Sequence, residues 1–150
     1  MQKNPLPMET RVAEGADLEV IITHEDLTET TNTTDQIVTI DIAAKMGAKV
    51  VRSYLDEPFA DSSSTANDST LVQIGDGGDP DRLQTSTELN ENGTEVVNKE
   101  GTGVLNVFTA DDTIDFTFTP KTGTNLAALD QGRLRTLLKF SDARTPAAAV

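Results

Sequence analysis

The groups that could do chemistry in this sequence are few. One histidine and no cysteine occur among 150 residues, which excludes disulfide scaffolds, thiol nucleophiles, zinc-thiolate sites and c-type haem attachment. His24 lies in Ile22-Thr23-His24-Glu25-Asp26-Leu27, and position 28 is threonine where a zinc-protease helix needs its second histidine. No serine stands in a Gly-x-Ser-x-Gly elbow, so the expectation for His24 is a surface residue at a strand end, not a relay partner. The densest polar run, Asp76-Gly77-Gly78-Asp79-Pro80-Asp81-Arg82, offers three carboxylates, the hard oxygen ligands that Ca²⁺ takes. Its spacing is not that of an EF-hand and no glutamate follows at the twelfth position, which makes it an acidic turn. Asp111, Asp112 and Asp115 form no acid-base pair by proximity alone, because neighbours on a strand point to opposite faces. Gly101-Thr102-Gly103 lacks the third glycine of a dinucleotide loop, and Gly75-Asp76-Gly77-Gly78 lacks the Lys-Ser/Thr of a phosphate loop. Asn92-Gly93-Thr94 matches a glycosylation sequon but suits a type I′ hairpin turn better. No catalytic residue, cofactor or metal is expected, and the chain reads as a non-enzyme.

Composition limits the partners. There are 25 acidic and 12 basic residues, a formal charge of -13, so phosphate backbones and anionic lipid surfaces are repelled; no nucleic-acid or membrane partner is expected. The charge is uneven: residues 1–120 hold 23 acids and 7 bases, while 121–150 hold 2 acids and 5 bases. No apolar run is long enough for a membrane span, and Met1-Gln2-Lys3-Asn4-Pro5-Leu6-Pro7 has no apolar signal segment, pointing to a protein made in a cytoplasm. Leu, Ile, Val and Phe make up 36 residues, enough for a lean core that oligomer contacts would supplement.

The scaffold that must position these residues is written in period-two alternation. Leu18, Val20 and Ile22, then Val38, Ile40 and Ile42, then Val51, Ser53 and Leu55 each define one face of a strand. Val72 and Ile74, Val96 and Val97, Leu105 and Val107, Ile114, Phe116 and Phe118, and finally Leu134, Thr136, Leu138 and Phe140 continue the pattern. Clusters of Asx, Ser, Gly and Pro separate them as turns. One short helix is expected at Leu126–Asp130, capped by Thr124 or Asn125 and ended by Gly132. Residues 1–16 read as an extended arm, 17–142 as the domain and 143–150 as a flexible tail. About eight short strands without a βαβ rhythm predict an all-β fold, an antiparallel β-sandwich of jelly-roll type.

Val72 to Asp79, Asp81-Arg82, Ser86 to Val96 and Phe108 to Thr113 resemble a segment of the capsid decoration, or cement, proteins of tailed bacteriophages. The similarity spans about residues 35–140 and rests on turns and strand edges rather than on any catalytic signature. It implies a virion structural protein, commonly a homotrimer, that sits on the capsid exterior after assembly in the host cytoplasm and bridges subunits of the major capsid protein. On that basis Leu6, Pro7 and Met8 are candidate arm contacts, and Arg133, Arg135 and Lys139 a candidate cationic meeting point with an acidic neighbour. A tail or head-fibre module that binds a host receptor is the alternative. A carbohydrate hydrolase is the third class, and one Tyr with no Trp leaves it without an aromatic sugar platform.

Overall fold

The computed structural model describes residues 1–63, 70–89, 98–120 and 124–142. The expected strand at Val96-Val97, the Asn92-Gly93 turn with its sequon, and the tail 143–150 lie outside them. One sheet has the order β1 (Gln2–Pro5), β2 (Leu18–Thr23), β10 (Gln131–Asp142), β4 (Met46–Ala60), β7 (Asn98–Glu100), with β8 (Asn106–Val107) also on β4. The second has the order β3 (Gln36–Ile42), β9 (Asp112–Thr119), β5 (Leu71–Asp76), β6 (Asp79–Glu88). Every pair is antiparallel.

The pairs are nested. β5 meets β6, β4 meets β7 and β8, β3 meets β9, and β2 meets β10, as in one long hairpin rolled so that its two halves face each other. That winding is a jelly roll. The inward positions are those the alternation marks: Val20, Ile22, Leu134 and Leu138 from the β2 sheet oppose Ile40, Ile74, Ile114 and Phe116 from the β3 sheet. Phe59 and Phe118 meet across the interface with ring centroids 6.0 Å apart, a separation suited to tilted aromatic packing. One polar node lies among them. The Ser53 hydroxyl donates to Gln84 Oε1 at 2.7 Å and lies 2.8 Å from Thr136 Oγ1, while Gln84 Nε2 has no partner.

Three local expectations change. The alternation sets Val51 on one face with Ser53 and Leu55, but β4 gains a residue relative to β10 between Val50 and Arg52; this bulge turns Val51 outward against Leu6, Ala16 and Leu137. Gly132 ends no helix: it lies in β10 at φ 142, and a Cβ there would enter the Phe59 ring. Leu126–Ala128 forms only a 3-10 turn, and the α-helix, α1, is Met8–Glu14. Pro7 before it, Glu9 in its first turn and Gly15 at φ 65 after it are sequence signals of a short helix. The N-terminal arm is therefore extended only over Gln2–Pro5, where it is bound along β2.

Candidate interaction face

The outward side of the β2 sheet gathers most of the residues singled out as contacts. Two bulges shape it. The first presents Val51, which with Tyr54 flanks the small cluster of Leu6, Ala16 and Leu137. The second inserts Asp56 between Leu55 and Glu57, which pair with Leu134 and Arg133, and so aims one carboxylate at two guanidinium groups. Arg135 Nε and NH2 donate to Asp56 at 2.9 and 3.0 Å, a two-pronged pair. The same guanidinium lies 4.4 Å from the centre of the Tyr54 ring, within cation-π range, and 3.9 Å from Glu19. The Asp56 carboxylate raises the pKa of Arg135 further, burial opposing it only in part. Arg133 Nε reaches Asp56 at 3.6 Å.

Lys139 is paired as well. Its ammonium donates to Asp17 Oδ1 at 3.3 Å, and the Phe140 N–H donates to Asp17 Oδ2 at 2.8 Å. Burial works against ionisation of Asp17, but the Phe140 N–H and then the Lys139 ammonium outweigh it and hold the carboxyl below the ordinary aspartate value. The expected cationic meeting point thus lies in the middle of a sheet, since β10 lies between β2 and β4, and its charges are matched within the chain. Leu6 is also withdrawn, being 8% exposed, whereas Met8 is 73% exposed and Pro7 is exposed. Of the six residues, the structure leaves Pro7, Met8 and Arg133 most open to a partner.

The other candidates are engaged locally. Asp76 is buried, accepts the N–H groups of Gly78 and Asp79 at 2.9 and 3.0 Å, and takes Asn106 Nδ2 on its other oxygen at 3.3 Å. Arg82 Nε lies 3.0 Å from that same oxygen, an ion pair without hydrogen-bond alignment. Asp111 caps the Ala44 N–H at 2.9 Å, and Asp115 accepts the Thr113 hydroxyl at 2.5 Å. Asp41, Asp111 and Asp112 line an open groove of about 690 Å³ with Ile42, Ala43 and Thr113. His24 is half-buried rather than exposed, with Nδ1 unpartnered. The Ser62 hydroxyl and N–H both donate to Asp130 and lower its pKa, while His24 enters only as a nearby charge. A serine bonded to the acid instead of the histidine has the wrong order for a relay.

Among the described residues no three His, Cys, Asp or Glu side chains are grouped to hold a metal, and no helix is long and apolar enough to cross a membrane. A second segment, after Val51, departs from the alternation. The pattern assigns Leu105 and Val107 to a core-facing strand, yet both stand about half exposed beside Val104, and only Phe108 turns inward. β8 is two residues long, too short to impose alternation on that segment. No protein-family model matches the chain, and no curated protein matches it either.

Proposed function

We propose that the chain is a non-enzymatic structural protein of a tailed-phage virion, which binds the outer surface of the assembled head and stabilises it by bridging capsid subunits. The observation that carries this reading is the jelly roll, the fold the resemblance leads one to expect, with Asp76, Asp115, Asp130, Arg135 and Lys139 engaged in bonds within the chain. The half-exposed Val104, Leu105 and Val107 supply apolar area of the sort an interface covers. The mechanism is mass action: a protein that binds assembled shell better than free subunits stabilises the shell by its binding free energy. Homotrimeric assembly is the form the resemblance favours.

Fold alone does not dictate function, so location is the test. A tagged copy expressed during infection is imaged on particles with and without the native gene. Regular density over the head supports decoration, density at the tail or on fibres supports receptor binding, and no particle-bound density overturns both. Deleting residues 1–16 would also strip β1 and Leu6 from the fold, so contacts are probed with Met8→Asp and Arg133→Ala. Each is expected to lower head occupancy without changing the melting temperature.

A further inference from the structure

The two sheets end in strands that differ sharply in how they discourage pairing with another chain. β1 has four residues, including Lys3 and Pro5, while β7 and β8 have three and two. β6 holds Pro80 and pairs with β5 through two register shifts. Short length, Lys, Pro and bulges are the usual protections of a sheet edge. β3 has none of them. Its seven residues, Gln36-Ile37-Val38-Thr39-Ile40-Asp41-Ile42, contain no Pro, Gly or Lys and pair with β9 without a shift. No described strand pairs its other side, and on the outward face of the sheet Ile37 stands 54% exposed with Thr39 and Asp41 also exposed.

We propose that β3 pairs antiparallel with β3 of a second copy across a two-fold axis centred on Thr39, joining two four-stranded sheets into one. Keeping both core faces on the same side requires residues of equal parity to oppose each other, so the axis passes through a residue. Centred on Thr39, all seven residues of the strand find a partner: Gln36 faces Ile42, Ile37 faces Asp41, Val38 faces Ile40, and Thr39 faces itself. The strand's single charge never meets its own copy, which matters because like charges directly opposite are destabilising. Centring on Val38 would set Asp41 against Asp35, and centring on Ile40 would leave Gln36 and Ile37 outside the paired segment. This contact is isologous, hence separate from any three-fold one, and it does not depend on head decoration. At -13 per copy, it strengthens as salt screens the mutual repulsion.

The chain has no cysteine, which makes a symmetric cross-link clean. Opposed Cα atoms in antiparallel strands lie about 4.5–5.5 Å apart, inside the range of about 4.4–6.8 Å that a disulfide spans. Thr39→Cys is expected to oxidise to a covalent dimer well before Ile37→Cys, whose residue faces Asp41 instead of itself. In sedimentation equilibrium the unsubstituted chain is expected to dimerise, Thr39→Lys to weaken the dimer about fivefold, and Ile37→Lys, placed opposite Asp41, to preserve or tighten it. A chain that stays monomeric at its solubility limit in high salt overturns the proposal. So does a dimer or trimer indifferent to Thr39→Lys, or equal cross-linking of the two cysteine variants.

Discussion

At the scale of single residues, the β2-sheet face shows that a cation's neighbours, and not its count, decide whether it can serve a partner. Arg135 is held by Asp56, Tyr54 and Glu19, whereas Arg133 touches Asp56 alone at 3.6 Å. Exposed ion pairs contribute about 0.2–1 kcal/mol, and a two-pronged pair in a network sits near the top of that range. Asp56→Asn is therefore expected to cost about 1 kcal/mol in urea unfolding, while Arg133→Ala stays within about 0.5 kcal/mol of the parent. Equal losses would mean that Arg133 is bound into the fold no less firmly than Arg135, and would remove it as an open contact. None of this pairing is legible in the sequence. Asp56 and Arg135 are remote in sequence, and which nearby acid each cation finds depends on a bulge that composition does not reveal.

At the scale of strands and turns, two joints carry measurable weight. Asp17 fastens the start of β2 to the end of β10 through the Phe140 N–H and Lys139. Because its folded pKa lies below the ordinary value, its contribution is complete above the unfolded pKa of about 3.9 and is lost as pH falls through the folded value. Asp17→Asn should lower stability at neutral pH, and the gap to the parent should close as the solution is acidified below about pH 4; a gap independent of pH would count against the carboxylate. Gly132 is the other joint. Gly132→Ala meets both a positive φ and the Phe59 ring, so a loss of about 2 kcal/mol or more is expected in thermal unfolding. The strands themselves are legible, since alternation at Val20 and Ile22, Ile40 and Ile42, or Ile114 and Phe116 marks a buried face wherever pairing is regular. It misplaces Val51, because a bulge shifts the phase without altering composition, and it misjudges Leu105 and Val107, where pairing is too brief to enforce a face. α1 escapes the pattern because seven residues make only about two turns, too few to display a helical period, although Pro7 and Gly15 bracket it.

For the whole molecule, the nested pairing lays β2 along β10, so that beyond the local β5–β6 and β1–β2 pairs a strand's place is secured only when distant partners arrive. Such topologies fold slowly, since loop closure must precede the contacts that reward it. The polar node of Ser53, Thr136 and Gln84 bears on what happens once the two sheets meet. Their apolar faces repeat every two residues, about 7 Å along a strand, and one leucine or isoleucine row can interlock with another at more than one such step. Only a single offset brings two hydroxyls from one sheet to the amide of the other. Replacing all three with apolar residues of similar size, as Ser53→Ala, Thr136→Val and Gln84→Met, also removes the orphaned amide N–H, and stability is expected to hold or rise. The same variant is expected to show broadened or doubled amide resonances, and a spectrum as sharp as the parent's would refute it. The node then acts as a vernier stop, choosing one alignment among sliding ones and giving the sandwich its unique shape more than its strength.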